Sequence, residues 1–179
     1  MVQQNTVSRR AVAKGVAWSA PAVLATSAVP AFALSCKTHR FLLSIVNGTP
    51  VVAAQDGSGA TYPYTVTLEG VSGSGVLAGD VSIDFGTQVT DVAFTLGGFD
   101  SKGEGNVDRV TFPPNAPVTY GELSNVVTEN GGRTLRAVKN EKNGTAGISY
   151  SPVRKIEFTA TNVLPDNLTI SAITFTACI

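Results

Sequence analysis

The chain is poor in the residues that most often do chemistry. Among 179 residues there is 1 histidine, 2 cysteines, 1 tryptophan and 1 methionine. One histidine, His39, leaves little room for a histidine-based metal site. A Ser-His-Asp triad would have to be built on it, and the chain has no G-x-S-x-G nucleophile elbow. The glycine-rich stretches lack the Lys-Ser/Thr that completes a phosphate-binding loop. Charged residues make up 15% of the chain, and the 13 basic and 13 acidic residues cancel. A chain without basic excess has no electrostatic reason to bind nucleic acid, and no such partner is expected. No stretch of helical periodicity is long enough to define a helix.

What the chain does have begins with Ser8–Ala33, SRRAVAKGVAWSAPAVLATSAVPAFA. After Lys14 no charged residue appears until Lys37. The run is only mildly apolar and is interrupted by Pro21 and Pro30. It ends at Ala31-Phe32-Ala33, the small–x–small pattern after which a signal peptidase cuts. Ser8-Arg9-Arg10-Ala11-Val12-Ala13-Lys14 resembles a twin-arginine signal, S/T-R-R-x-Φ-Φ-K. The resemblance makes Arg9, Arg10 and Lys14 the residues read by the twin-arginine translocase. Ala31 and Ala33 would then be the residues read by signal peptidase. Residues 1–33 are thus expected to be a cleaved signal, and 34–179 a single exported domain, secreted or held at the cell surface. Two alternatives stand beside cleavage. An uncleaved anchor has the length, but prolines and glycine weaken a helix in lipid. Lipidation at Cys36 would want Leu where Ala33 stands.

Cleavage would remove three bases and no acid, leaving a slight negative balance, and would take Trp18 and Met1 with it. Cys36 and Cys178 would remain. Outside the cytoplasm an even pair reads as a disulfide, and this one demands that the first and last strands be neighbours.

From residue 36 onward, runs of Val, Ile, Thr, Phe and Tyr alternate with Gly, Asn, Asp and Pro turns. The pattern predicts strands at Arg40–Val46, Tyr62–Glu69, Val81–Phe85, Val89–Leu96, Val107–Phe112, Thr134–Val138, Gly147–Tyr150, Lys155–Thr161 and Leu168–Cys178. Gly70–Gly79 reads as a loop. In the last strand the apolar parity changes between Ala172 and Ile173, which points to a bulge there or to burial on both faces. Eight or nine short strands predict an all-β fold, an antiparallel β-sandwich, with a closed barrel as the alternative.

The opening SRRAVAKGVAWSAPAV resembles the start of small twin-arginine-exported proteins of actinobacteria. Val92–Phe112, VAFTLGGFDSKGEGNVDRVTF, resembles a strand–loop–strand unit of secreted β-sandwich proteins of that group. There, D-I-D follows the first strand and D-x-V opens the second. Here Gly98-Phe99-Asp100 stands in the first place, without the leading Asp. The resemblance implies location and fold, and no activity.

Three features merit chemical scrutiny. Asp100, Glu104 and Asp108 could offer oxygen ligands to calcium from one glycine-rich loop. Alternatively, the two Asp carboxylates accept backbone N–H bonds and hold the loop in shape. His39 is expected in a surface or half-buried structural role near the disulfide. Sugar stacking wants exposed aromatics, and among Tyr62, Tyr64, Tyr120 and Tyr150 the expected exposed one is Tyr120, after a proline-rich break. These features favour a non-catalytic exported β-sandwich with a structural or adhesive role, its partner a cell-surface glycan or protein. An extracellular carbohydrate- or ligand-binding module is the second reading, and would show an exposed tyrosine row or a concave sheet face. A hydrolase is the third, and would show paired carboxylates in a pocket or His39 bonded to a serine.

Overall fold

The computed structural model describes residues 36–73, 75–103, 105–162 and 168–179. Arg9, Arg10, Lys14, Ala31, Ala33 and Glu104 lie outside the described residues. The domain is all-β, with twelve strands: β1 (Thr38–Val46), β2 (Thr49–Ala54), β3 (Thr67–Ser72), β4 (Val76–Phe99), β5 (Arg109–Thr111), β6 (Val118–Ser124), β7 (Val126–Glu129), β8 (Thr134–Ala137), β9 (Gly144–Tyr150), β10 (Val153–Thr161), β11 (Thr169–Ile170) and β12 (Ile173–Cys178). All ladders but the short β11–β4 contact are antiparallel.

The sandwich-like arrangement follows from β4, which is long enough to serve two sheets. Its first half pairs with β3 on one side and β10 on the other, and the ladder continues through β5 and β8 to β7. Its second half pairs with β12 and β9, extending through β1 to β2 and through β9 to β6. The strand turns between these halves at Gly86, whose φ of +76 lies on the left-handed side. A Cβ there would sit 2.9 Å from the Tyr64 Cβ and 3.1 Å from the Thr65 carbonyl, so glycine is required sterically as well as conformationally. The Asp84 Oδ1 accepts the Gly86 N–H at 2.8 Å and fixes the turn.

Alternation puts one core between the halves. Val81, Ile83 and Phe85 face inward from the first half of β4, and Val92, Phe94 and Leu96 from the second. Phe175 sits among Phe41, Tyr62 and Phe85, with ring centroids 5.6, 5.2 and 5.0 Å away. At the other end Phe112 packs on Tyr120 and Phe158. The first and last strands are neighbours, Thr38 opposite Cys178, and Cys36 and Cys178 are disulfide-bonded.

Several sequence expectations change. Val81–Phe85 and Val89–Leu96 belong to one strand, because Gly86 bends the chain without breaking it. Tyr62–Val66 is not strand: Pro63 has no N–H to give a ladder, and pairing starts at Thr67. Gly70–Gly79 is largely β3 and β4 rather than a loop, with Gly70 at a bulge against Asp80. β2, β6 and β7 were not anticipated, since short edge strands carry weak alternation. The parity change at Ala172 is real: Ser171 and Ala172 separate β11 from β12, and Leu168, Ile170, Ile173 and Phe175 are all buried.

Candidate functional site

The structure brings Asp100 and Asp108 together. Asp100 is 3% exposed and Asp108 0%. The Asp100 N–H donates to Asp108 Oδ2 at 3.0 Å, and the Asn143 N–H donates to Asp100 Oδ1 at 2.6 Å. Backbone bonds from Asp108 N–H to Asp100 O and from Ala137 N–H to Asp108 O close the unit. Gly144 lets the neighbouring turn approach, since a Cβ there would lie 2.9 Å from the Asn125 carbonyl. Both carboxylates are thus engaged in holding loop backbone. Among the described residues, no three His, Cys, Asp or Glu side chains gather as a metal site. Asp108→Ala is expected to cost about 1–3 kcal/mol by stranding the buried Asp100 N–H. Thermal unfolding with calcium and with a chelator should give the same midpoint if the loop is held this way, and a calcium-dependent rise would identify a metal site.

His39 is buried at the start of β1, its Nδ1 2.7 Å from Asp56 Oδ2. Ser58 donates its hydroxyl to Asp56 Oδ1, and its N–H to the same oxygen at 3.0 Å. These Ser58 bonds, and then His39, hold the Asp56 carboxyl well below the usual carboxylate range. The order is His–Asp–Ser. A nucleophilic triad needs the imidazole between the serine and the acid, so this arrangement pins the β2–β3 connection rather than activating Ser58.

The tyrosines divide differently from expectation. Tyr120 is half-buried, its ring against Phe112 at 5.9 Å and its hydroxyl donating to the Gly132 carbonyl, so it packs rather than presenting a platform. Burial pushes its phenol up. Tyr64 is the exposed one, at 43%. Tyr62 packs between Phe41 and Phe175, and burial, with Tyr64 and Asp84 nearby, pushes its phenol up to about 12.

A larger feature lies on the solvent face of the β3–β4–β10–β5 sheet. It is a cleft of about 530 Å³. Register explains its floor. Glu69, Ser82 and Glu157 stand in one row across three strands, and Asp80, Thr159, Thr111 and Thr134 in the next. Phe112, Pro113 and Pro114 form an apolar flank, and Asn130 and Arg133 rise from the β7–β8 turn. Lys155 Nζ lies 2.6 Å from Glu157 Oε1, which raises the lysine's affinity for its proton. Thr159 donates to Asp80 Oδ1 at 2.7 Å.

A second pocket of about 220 Å³ shares Pro113, Pro114, Lys155 and Glu157 with the cleft and is also lined by Tyr150. Among the described residues, Tyr150 has the one buried side-chain polar atom without a hydrogen-bond partner, its hydroxyl. Burial drives that phenol well above its ordinary range. An unpaired buried hydroxyl is costly, and a ligand or solvent oxygen reaching it would recover that cost.

No protein-family model, curated protein or solved structure matches the chain.

The cleft was missed in the sequence because its residues come from four strands and two turns. The outward row of β10, with Lys155, Glu157 and Thr159, was visible as alternation. Its pairing with Ser82 and then Glu69 was not, because register across a sheet is a long-range property.

Proposed function

We propose that the protein is exported by the twin-arginine route, loses residues 1–33, and acts as a non-catalytic adhesive β-sandwich at or outside the cell envelope. In this reading it holds a hydroxyl-rich chain, such as a surface glycan, in the β3–β4–β10–β5 cleft. The observation that carries the reading is that cleft, a sheet face lined by alternating donors and acceptors with a proline–phenylalanine flank. Carboxylates, hydroxyls, Arg133 and Asn130 suit the O–H groups of a sugar, and Phe112, Pro113 and Pro114 suit its C–H face. The buried Tyr150 hydroxyl adds a polar group that a ligand could pair. The disulfide is compatible with an oxidising extracellular compartment.

Titration calorimetry of the purified exported protein against cell-wall oligosaccharides tests this. Binding is expected, and both Glu157→Ala and Arg133→Ala should weaken it at least about tenfold, roughly 1.4 kcal/mol. Tyr150→Phe should weaken binding while leaving the ligand-free protein as stable or more so. Absence of binding across the panel would remove the ligand reading. Glu69 and Glu157 stand two strands apart across Ser82, about 10 Å at ordinary strand spacing. That favours the hydrolase as the second reading. Release of reducing ends by the wild-type protein, abolished in Glu157→Gln, would establish it.

A further inference from the structure

Among the described residues, β2, β3, β6 and β7 lie at sheet edges, and three of these are blunted. β3 carries Glu69 and a register shift before Val71. β6 carries Glu122 and a shift between Tyr120 and Leu123. β7 is four residues long and ends in Glu129, ion-paired with Arg136 at 2.5 Å. Charges, bulges and short length are the usual devices that stop edges from pairing with other chains. β2, Thr49-Pro50-Val51-Val52-Ala53-Ala54, has no charge and pairs with β1 without a shift. It carries Val51, 46% exposed, and beside it on β1 is Val46, 52% exposed, two of the most exposed large apolar residues.

The direction of its backbone groups follows from one bond. The Gln55 N–H donates to the Arg40 carbonyl at 2.8 Å, so Arg40–Gln55 is a hydrogen-bonded pair. Antiparallel pairs alternate, so Leu42–Ala53, Ser44–Val51 and Val46–Thr49 are hydrogen-bonded too. Pro50, Val52 and Ala54 therefore turn their backbone groups away from β1. Among the described residues, β2 pairs with β1 alone.

We propose that β2 pairs antiparallel with β2 of a second copy, about a twofold axis at Ala53. In that register Val52 faces Ala54 of the second copy. Each exchanges an N–H and a carbonyl with the other, and the twofold repeats the pair, giving a ladder matched from Val52 to Ala54. Pro50 favours this register, in which it falls opposite Asp56 of the second copy, beyond the end of β2. Centring on Val52 instead would set each Pro50 opposite Ala54 of the other copy, where proline has no N–H to give. No like charges meet, because Thr49–Gln55 is uncharged in both copies and Asp56 falls opposite Pro50. A C2 seam requires a self-complementary patch, and this edge supplies one. Val51 and Ala53 add apolar contact along the outer face of the seam.

Sedimentation velocity of the disulfide-bonded protein over a concentration series tests the proposal. The expected result is a monomer–dimer equilibrium that doubles the mass. Ala53→Lys sets two lysines face to face on the axis and should return the monomer at every concentration. Ala53 is exposed, so the variant should unfold at the wild-type temperature, which separates lost pairing from lost folding. Ala53→Cys should form an intermolecular disulfide under mild oxidation, and Thr49→Cys, which faces Gly57 of the second copy, should not. A monomer at all concentrations would overturn the proposal, as would a dimer unaffected by Ala53→Lys. Equal cross-linking at positions 49 and 53 would overturn the register.

Discussion

Reduction of the Cys36–Cys178 bond, or Cys178→Ser, is expected to lower domain stability by as much as about 5 kcal/mol, the loop-closure entropy of a cross-link spanning roughly 140 residues. The bond joins residues flanking the β1–β12 ladder, where Thr38 faces Cys178 and Lys37 exchanges backbone hydrogen bonds with Ile179 at 3.1 Å. The ladder sets the ends side by side in the folded state. The cross-link acts on the unfolded chain, which without it could separate its ends freely. Urea unfolding of the oxidised and the reduced, alkylated protein measures the difference directly. The reduced form should unfold at lower urea, with a slope as steep or steeper because its unfolded chain is more open. A midpoint shift worth less than about 1 kcal/mol would show that structure remaining in the unfolded chain already keeps the ends together.

Phe175→Ala is expected to cost about 3–5 kcal/mol, the usual range for emptying a buried aromatic site. Phe175 is fully buried on β12 and touches rings from both halves of the sandwich and from the β2–β3 connection: Phe41, Phe85 and Tyr62. Phe175→Leu should recover part of the loss by refilling the space. Thermal unfolding of both variants checks the ranking. Equal stability of the alanine and leucine proteins would mean that the neighbouring rings collapse into the space. Tyr62 holds one wall of this site through its bond to the Phe85 carbonyl. Loosening there should therefore also reach His39, which packs against Phe41 at 6.3 Å.

The all-β class was legible because alternation is local: Val81-Ser82-Ile83-Asp84-Phe85 shows its buried face in five residues. The meeting of the first and last strands was legible because two cysteines, Cys36 and Cys178, at opposite ends of the β domain constrain them. Of the two readings given to Asp100 and Asp108, the backbone-holding one describes the observed bonds. What escaped was set by distant partners. Whether β4 is one strand or two depends on how Gly86 packs against Tyr64, which no window around residue 86 contains. Tyr120 follows a proline break and looks exposed in sequence, yet Gly132 and Phe112 enclose it. The cleft required knowing that β3, β4, β10 and β5 lie side by side.

The length of β4 has a kinetic meaning. A sandwich whose sheets share no strand can lose one sheet's edge while the other persists. Here Ile83 and Phe94 sit on a single rail that both sheets use, so opening either half pulls on the other. The slowest amide exchange should therefore run along β4 and across its neighbours in both sheets, with one opening free energy from Val81 to Leu96. Most of the contacts that create this unit join residues far apart in the chain, so the domain should assemble late and all at once.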